Sequence, residues 1–402
     1  MKKLLAIVLC LMLALSVCGV AGAEAGFDGE IKIWVAEAIV DFTTAQVEVF
    51  KAANPEYANM TVIIEAVGEG DAATNMITDV EAGADIYGFA QDQLARLVAA
   101  GALLELSEEN AAIVSVENDG GSVAAATLGD LVYAYPLTSD NGYFLYYDKS
   151  VVTDPTSLEA VLAACEAAGK NFYMEINSGW YQTAFFFGAG CTIEYSVDNE
   201  GNLIACTCDY ASENGVKALK SMIELSKSPA FVNGSSASNA TNIGAIVDGT
   251  WDAVAMQGIL GENYAATKLP TVDGYQLGGF GGFKLLGVKP QIDDAKLAAC
   301  DALALYLASG EVQKARYEEV QWGPSNLEAQ KLDAIQENAA LAALAAQLEF
   351  CVGQGQYPNE YWSLATTLGD QIIADQYDNA SDEELLAVLQ NFQDTAASYI
   401  VK

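Results

Sequence analysis

Between residues 31 and 101 the chain alternates between a strand-type and a helix-type repeat, and this constrains the fold more than any other feature. Ile31, Ile33 and Val35 alternate with Lys32 and Trp34, the two-residue repeat of a strand. Thr43 to Ala53 carries a helical repeat. It ends at Asn54-Pro55, because a residue before proline resists the helical conformation. Thr61 to Ala66 reads as the next strand. Ala73, Met76, Ile77 and Val80 then mark one helical face, with Gly83 as its cap. Ala84 to Phe89 is a short apolar strand, followed by a helix from Ala90 that stops at Gly101. A β-α-β-α-β-α order predicts an α/β fold with a largely parallel sheet and helices on both faces. Such sheets open to ligands at the carboxyl ends of their strands. At the last of these ends stand one ring and two polar groups, Phe89, Asp92 and Gln93.

At 402 residues the chain has room for about two domains of roughly 100–200 residues each. Its net charge of -36 repels phosphate backbones and anionic headgroups, so nucleic acid is not an expected partner. Residues 1–23 read as a signal peptide: Lys2 and Lys3, an apolar run from Leu4 to Val17, and a small-residue cleavage pattern at Ala21-Gly22-Ala23. That run is shorter than the about 20 residues needed to span a bilayer. Two endings stay open, cleavage after Ala23 or lipid attachment at Cys18 in "LSVC", where Val17 departs from the usual small residue. Both place the mature protein outside the cytoplasmic membrane. Six cysteines lie beyond the leader and are read as buried free thiols or one disulfide. Cys206 and Cys208 share a strand face, but a zinc site needs further ligands, and no metal or cofactor is expected.

The chain has no histidine, which excludes Ser-His-Asp and Cys-His catalysis and the His-Glu-x-x-His metalloproteases. Paired carboxylates, as in glycosidases, remain open. "GGFGGF" at 278–283 has the wrong glycine spacing for a dinucleotide fingerprint, and its glycines permit unusual backbone angles. In "LVYAYPLTSDNGYFLYYDKS" two aromatic runs flank Thr138 to Gly142; a hairpin or one strand crossing between lobes both fit. "WGPSN" breaks the chain, and helices dominate after it.

The order and spacing of "ADIYGFAQDQLARLVAAGALLEL", "LVYAYPLTSDNGYFLYYDK", "AIVDGTWDAV", "GGFGGFKLLGV", "ARYEEVQWGPSN" and "YPNEYWSLATTLGDQI" resemble the extracellular solute-binding proteins of ABC importers, in the maltodextrin-binding group. The likeness runs over nearly the whole mature chain. It implies a two-lobe periplasmic-binding-protein-like fold with a ligand cleft between the lobes. One lobe would take residues 24–138 and 284–321 and the other 142–277 and 327–402, with crossings near 139–141, 278–283 and 322–326. It implies a monomer that binds an oligosaccharide and hands it to the transmembrane subunits of an ABC permease without chemistry, touching the membrane only through that permease or a lipid anchor.

A pyranose offers C–H faces to flat rings and hydroxyls to donors and acceptors, so its site combines aromatic platforms with a few polar groups. The resemblance places a stacking ring at Phe89 and a hydroxyl-binding carboxylate at Asp92, with Gln93 in place of a basic residue. It places aromatic platforms at Trp180, with Tyr181 as its alternative, and at Trp251 and Trp362. Asp140 or Asn141 aligns with a carboxylate of the first crossing. Glu37 stands near the position of an Asp-Lys pair whose lysine is missing, which speaks against maltose itself. Beside this reading stand a secreted carbohydrate-active enzyme using paired carboxylates and a binding protein for a non-sugar cargo.

Overall fold

The computed structural model describes residues 26–400. The leader with Cys18 and Ala23 lies outside the described residues. Strand β1 (Glu30–Val35) pairs in parallel with β2 (Thr61–Ala66), Ile31 opposite Val62 and Ile33 opposite Ile64. On its other side β1 pairs in parallel with β3 (Ile86–Ala90). Helix α1 (Val40–Ala53) joins β1 to β2, entered through a 3-10 turn at Glu37–Ile39. Helix α2 (Ala72–Thr78) leads to β3, and α3 (Leu94–Ala99) follows it. The expected alternation is therefore present.

Helix α2 stops at Thr78, short of the Val80 and Gly83 expected to extend and cap it. The carbonyls beyond it are used otherwise. Lys289 Nζ donates to those of Val80, Glu81 and Gly83 at 3.1–3.2 Å, and Lys32 Nζ donates to that of Ala82 at 3.2 Å. A turn aimed at two ammonium groups has replaced the last helical turn.

The aromatic stretch is one strand and not a hairpin. Strand β4 runs unbroken from Ala134 to Asp148. In the second half of the molecule lie β5 (Asn171–Tyr173), helix α4 (Gly179–Gly188) and β6 (Ile243–Gly249). Strand β7 (Gly279–Val288) returns to the first half. The end of β4 pairs antiparallel with β6, and its beginning and middle pair antiparallel with β7, whose far edge is held by β3. One sheet therefore passes through both lobes, in the order Phe231–Val232, β5, β6, β4, β7, β3, β1, β2. Helices α5 (Ala339–Leu348), α6 (Asn359–Ile373) and Asp382–Ser398 close the chain.

Strand alternation divides the cores. In the first lobe Ile33, Val35 and Ile86 face one layer, with Leu303 and Trp322, and Trp34, Tyr87 and Phe89 face the other. In the second, Leu145, Phe172 and Val247 pack with Phe185, Tyr361 and Phe392, whereas Phe144, Tyr146 and Ile246 pack with Met256 and Leu344. Each sheet half is covered on both faces, as parallel strands require. The six described cysteines are free thiols.

Candidate functional site

A cleft of about 740 Å³ opens between the lobes, within the range of pockets that take small ligands. Its first-lobe wall is built where the chain leaves successive strands: Ala36 and Ala38 after β1, Gly68 to Asp71 ahead of α2, and Ala90, Asp92 and Gln93 after β3. Its second-lobe wall is Glu175 and the start of α4 with Trp180 and Tyr181, then Trp251 and Asp252 after β6, and Trp362 and Thr366 on α6. Asn141 of β4, Lys284 of β7, Trp322 and Gln354 form the floor between them.

The tryptophans are held by specific neighbours. Ser178 caps α4, its hydroxyl accepting from the Trp180 amide at 3.3 Å, so that residue 180 sits on the first helical turn. The Trp180 ring stacks on Phe280 with centroids 5.2 Å apart and meets Tyr143 edge-on at 5.7 Å. Trp362 is braced by Tyr357 and Tyr361 at 5.3 and 4.9 Å. Trp251 folds back over the end of β6, where a Cβ on Gly249 would come within 2.2 Å of its ring. Glycine is required there by close approach. Each of the three indoles is half-buried and lines the cleft.

The polar groups are less free. Asp92 is buried, and burial pushes its carboxyl up to about 7, against the pull of the neighbouring Arg96 guanidinium. Gln93 has its amide committed at both ends, accepting from Ala73 N at 3.0 Å and donating to Gly70 O at 2.8 Å. Asn141 donates to Gln354 Oε1 at 3.4 Å. Behind Trp251, Asp248 is wholly buried, and burial first, then the charge of Asp252, hold its carboxyl well above the usual carboxylate range. Tyr181 faces the same group, and burial keeps its phenol from ionising.

Of the sequence-derived candidates, Asp92, Gln93, Asn141, Trp180, Tyr181, Trp251 and Trp362 come together on this cleft. Three do not. Phe89 has no exposed surface and packs against Tyr87, 5.8 Å between centroids, in the first-lobe core. The pleat explains it, since successive residues of β3 face opposite sides and Ala90, not Phe89, reaches the cleft. Asp140 is 2% exposed and lies beneath the floor, its Oδ2 accepting from Thr250 Oγ1 at 2.6 Å and Gly323 N at 2.5 Å. The same alternation gives the cleft position to Asn141. Glu37 is exposed on the 3-10 turn and lies outside the lining, where Ala36 and Ala38 stand instead.

Sequence reasoning missed Lys284, Trp322, Glu69, Asp71, Glu175, Asp252 and Gln354. Lys284 had a signal, being the one charge inside the apolar run "GGFGGFKLLGV". Trp322 was hidden in a segment read as a chain break.

The model of the family described as bacterial extracellular solute-binding protein matches residues 45–343. A galactooligosaccharide-binding protein of Bacillus subtilis (strain 168) is 24% identical over 303 residues, 70% of each chain. A solved structure described as a complex with acarbose superposes with a TM-score of 0.80 at 26% identity, covering 92% of this chain and 99% of that one. The maltodextrin-binding protein MalE1 of L. casei BL23 does so with a TM-score of 0.74 at 21% identity, covering 92% and 100%. The first shares fold and some sequence, the second fold alone. With a family model matched over most of its length, and two α/β lobes with a cleft between them, the chain belongs to the bacterial extracellular solute-binding proteins.

Proposed function

We propose that the protein captures an oligosaccharide outside the membrane and delivers it to an ABC permease by closing its two lobes. The observation that carries this is the composition of the cleft. Trp180, Trp251 and Trp362 present indoles to one space, and Asp92, Asn141, Glu175 and Asp252 border it. Flat rings suit the C–H faces of a pyranose and the polar groups suit its hydroxyls. The names of the similar proteins, which bind galactooligosaccharide, maltodextrin and acarbose, support the same class of ligand.

Closure follows from placement. A ligand lying on the tryptophans touches the first-lobe wall only when the lobes approach, so ligand favours the closed form. The hinge in this reading is made of the crossings near 139–141, 278–283 and 322–326, dividing lobes at 24–138 with 284–321 and 142–277 with 327–402. No bond is made or broken at the site, so ligand is released unchanged to the permease. Asp92, Asn141, Trp180, Tyr181, Trp251 and Trp362 are the assigned contacts.

The test is a thermal-shift screen of mono- and oligosaccharides. A ligand bound by the native state alone raises Tm with concentration. A Tm unmoved by every oligosaccharide, or sugars recovered in cleaved form, overturns the reading.

A further inference from the structure

Lys284 is the unexplained residue of the cleft. It is 5% exposed, yet its ammonium has no hydrogen bond and no ion pair among the described residues. Its contacts are two indole faces, with Nζ 3.7 Å from the Trp322 ring centroid and 5.3 Å from that of Trp251. Cation–π attraction offsets part of the cost of burying a charge, but it supplies no acceptor for the three N–H groups. The backbone places the side chain there by an irregularity. Pairing of β7 with β4 slips on both sides of Lys284, which stands opposite Thr138. Such bulges re-aim a side chain next to functional sites.

Beside it Trp322 Nε1, on a residue of the same cleft floor, also stands without a hydrogen-bond partner among the described residues. Buried polar groups are nearly always satisfied, so two unpartnered donors at the floor of a cleft point to a ligand that completes them. Lys284 needs acceptor oxygens. Its surroundings say which kind. Glu69, Asp71, Asp92, Glu175 and Asp252 line the same cleft, where Lys284 is the one cation among the described residues. A carboxylated or phosphorylated sugar would meet that acidic lining, whereas hydroxyl oxygens accept from the ammonium with no such repulsion.

We propose that Lys284 is a specificity-determining residue, donating from its ammonium to the hydroxyl oxygens of a neutral sugar ring laid on Trp251. The cleft thereby selects an uncharged oligosaccharide by the positions of the hydroxyls on that one ring. This rests on the oligosaccharide reading above. A ring lacking the matched hydroxyl covers the ammonium without giving it an acceptor and is rejected, because a charge left unpaired on desolvation costs more than a lost surface contact.

The experiment compares the wild-type chain with Lys284→Met, which keeps the apolar stem and removes the ammonium. Probes are a neutral oligosaccharide that shifts the wild-type Tm, its monodeoxy analogues, and its uronic-acid counterpart. Titration calorimetry is expected to show affinity for the neutral sugar falling about 10- to 100-fold in the variant. One deoxygenation that weakens the wild type should cost the variant little, and the ligand-free variant should melt no lower than the wild type. Unchanged affinity, or an unchanged deoxy pattern, overturns the proposal. So does a lowered ligand-free Tm with the deoxy pattern kept, which would make the lysine a brace for the indoles. Tighter wild-type binding of the uronic acid overturns the neutral assignment. A wild type that takes no oligosaccharide fails one step earlier, at the proposed function; a wild type that binds with a variant that binds equally well removes this inference alone.

Discussion

The two walls of the cleft are made of different material. The second-lobe wall carries large rings, Trp180, Tyr181, Trp251 and Trp362, each braced from behind by other aromatics or by a glycine that lets it lie flat. The first-lobe wall carries alanines, glycines and short polar chains, Ala36, Ala38, Gly68 to Asp71 and Asp92. Its own rings, Tyr87 and Phe89, are turned into the core. The contrast assigns different work to the lobes. Apolar area gives most of the grip without demanding direction, whereas hydrogen-bonding groups demand position. On the proposed function, the second lobe would supply most of the apolar grip and the first lobe short polar groups that meet the ligand on closing.

The sharpest way to break this comparison is Phe89→Ala. Were that ring part of the first wall, the variant would lose affinity. As a core residue it should instead cost about 3–5 kcal/mol of stability, measured by denaturant unfolding, with affinity per folded molecule unchanged. Next comes Trp251→Ala. Loss of a well-placed aromatic anchor is expected to weaken oligosaccharide binding by about 2–4 kcal/mol in titration calorimetry, with the ligand-free Tm little altered. Equal losses from Trp251→Ala and Asp92→Asn would erase the distinction between the walls.

Asp92 sharpens the first wall through pH. Its carboxyl is raised from 3.8 to about 7 by burial, so the native state keeps a proton that the unfolded state has released over that window. Stability therefore falls as pH rises from about 4 to 7, and the full penalty is present above 7. Asp92→Asn removes the penalty. The variant should be more stable than wild type at pH 8, by at most about 4 kcal/mol for a shift of that size, and level with it at pH 4. Differential scanning at the two pH values reads this directly. Smallest of all, Glu37→Ala should leave both affinity and Tm unchanged within about 0.5 kcal/mol, since the residue is exposed outside the lining.

Much of this was legible in the sequence. The β-α alternation of residues 31–101 has the periods that the structure contains, and Trp180, Trp251 and Trp362 do reach one space. The failures have a common cause. In a strand one residue decides the face, so Phe89 and Asp140, each one step from a lining residue, point away from the cleft. Pattern alone sees which residue types are present but not the parity of the strand that carries them. At Thr138 to Gly142 the local pattern left a hairpin and a crossing strand both open, and partners on β7 and β6 far along the chain decide for the strand. Lys284 and Trp322 are far apart in the chain and meet only in the folded lobe, so no local spacing could have joined them.

Strand β4 spends its first residues in one lobe's sheet and its last in the other's, with no loop between them. The two halves are thus not modules that evolution or an engineer could separate at a linker. A cut anywhere in that strand would expose ladder edges on both sides at once. Unfolding should run as one event, with the lobes losing order together.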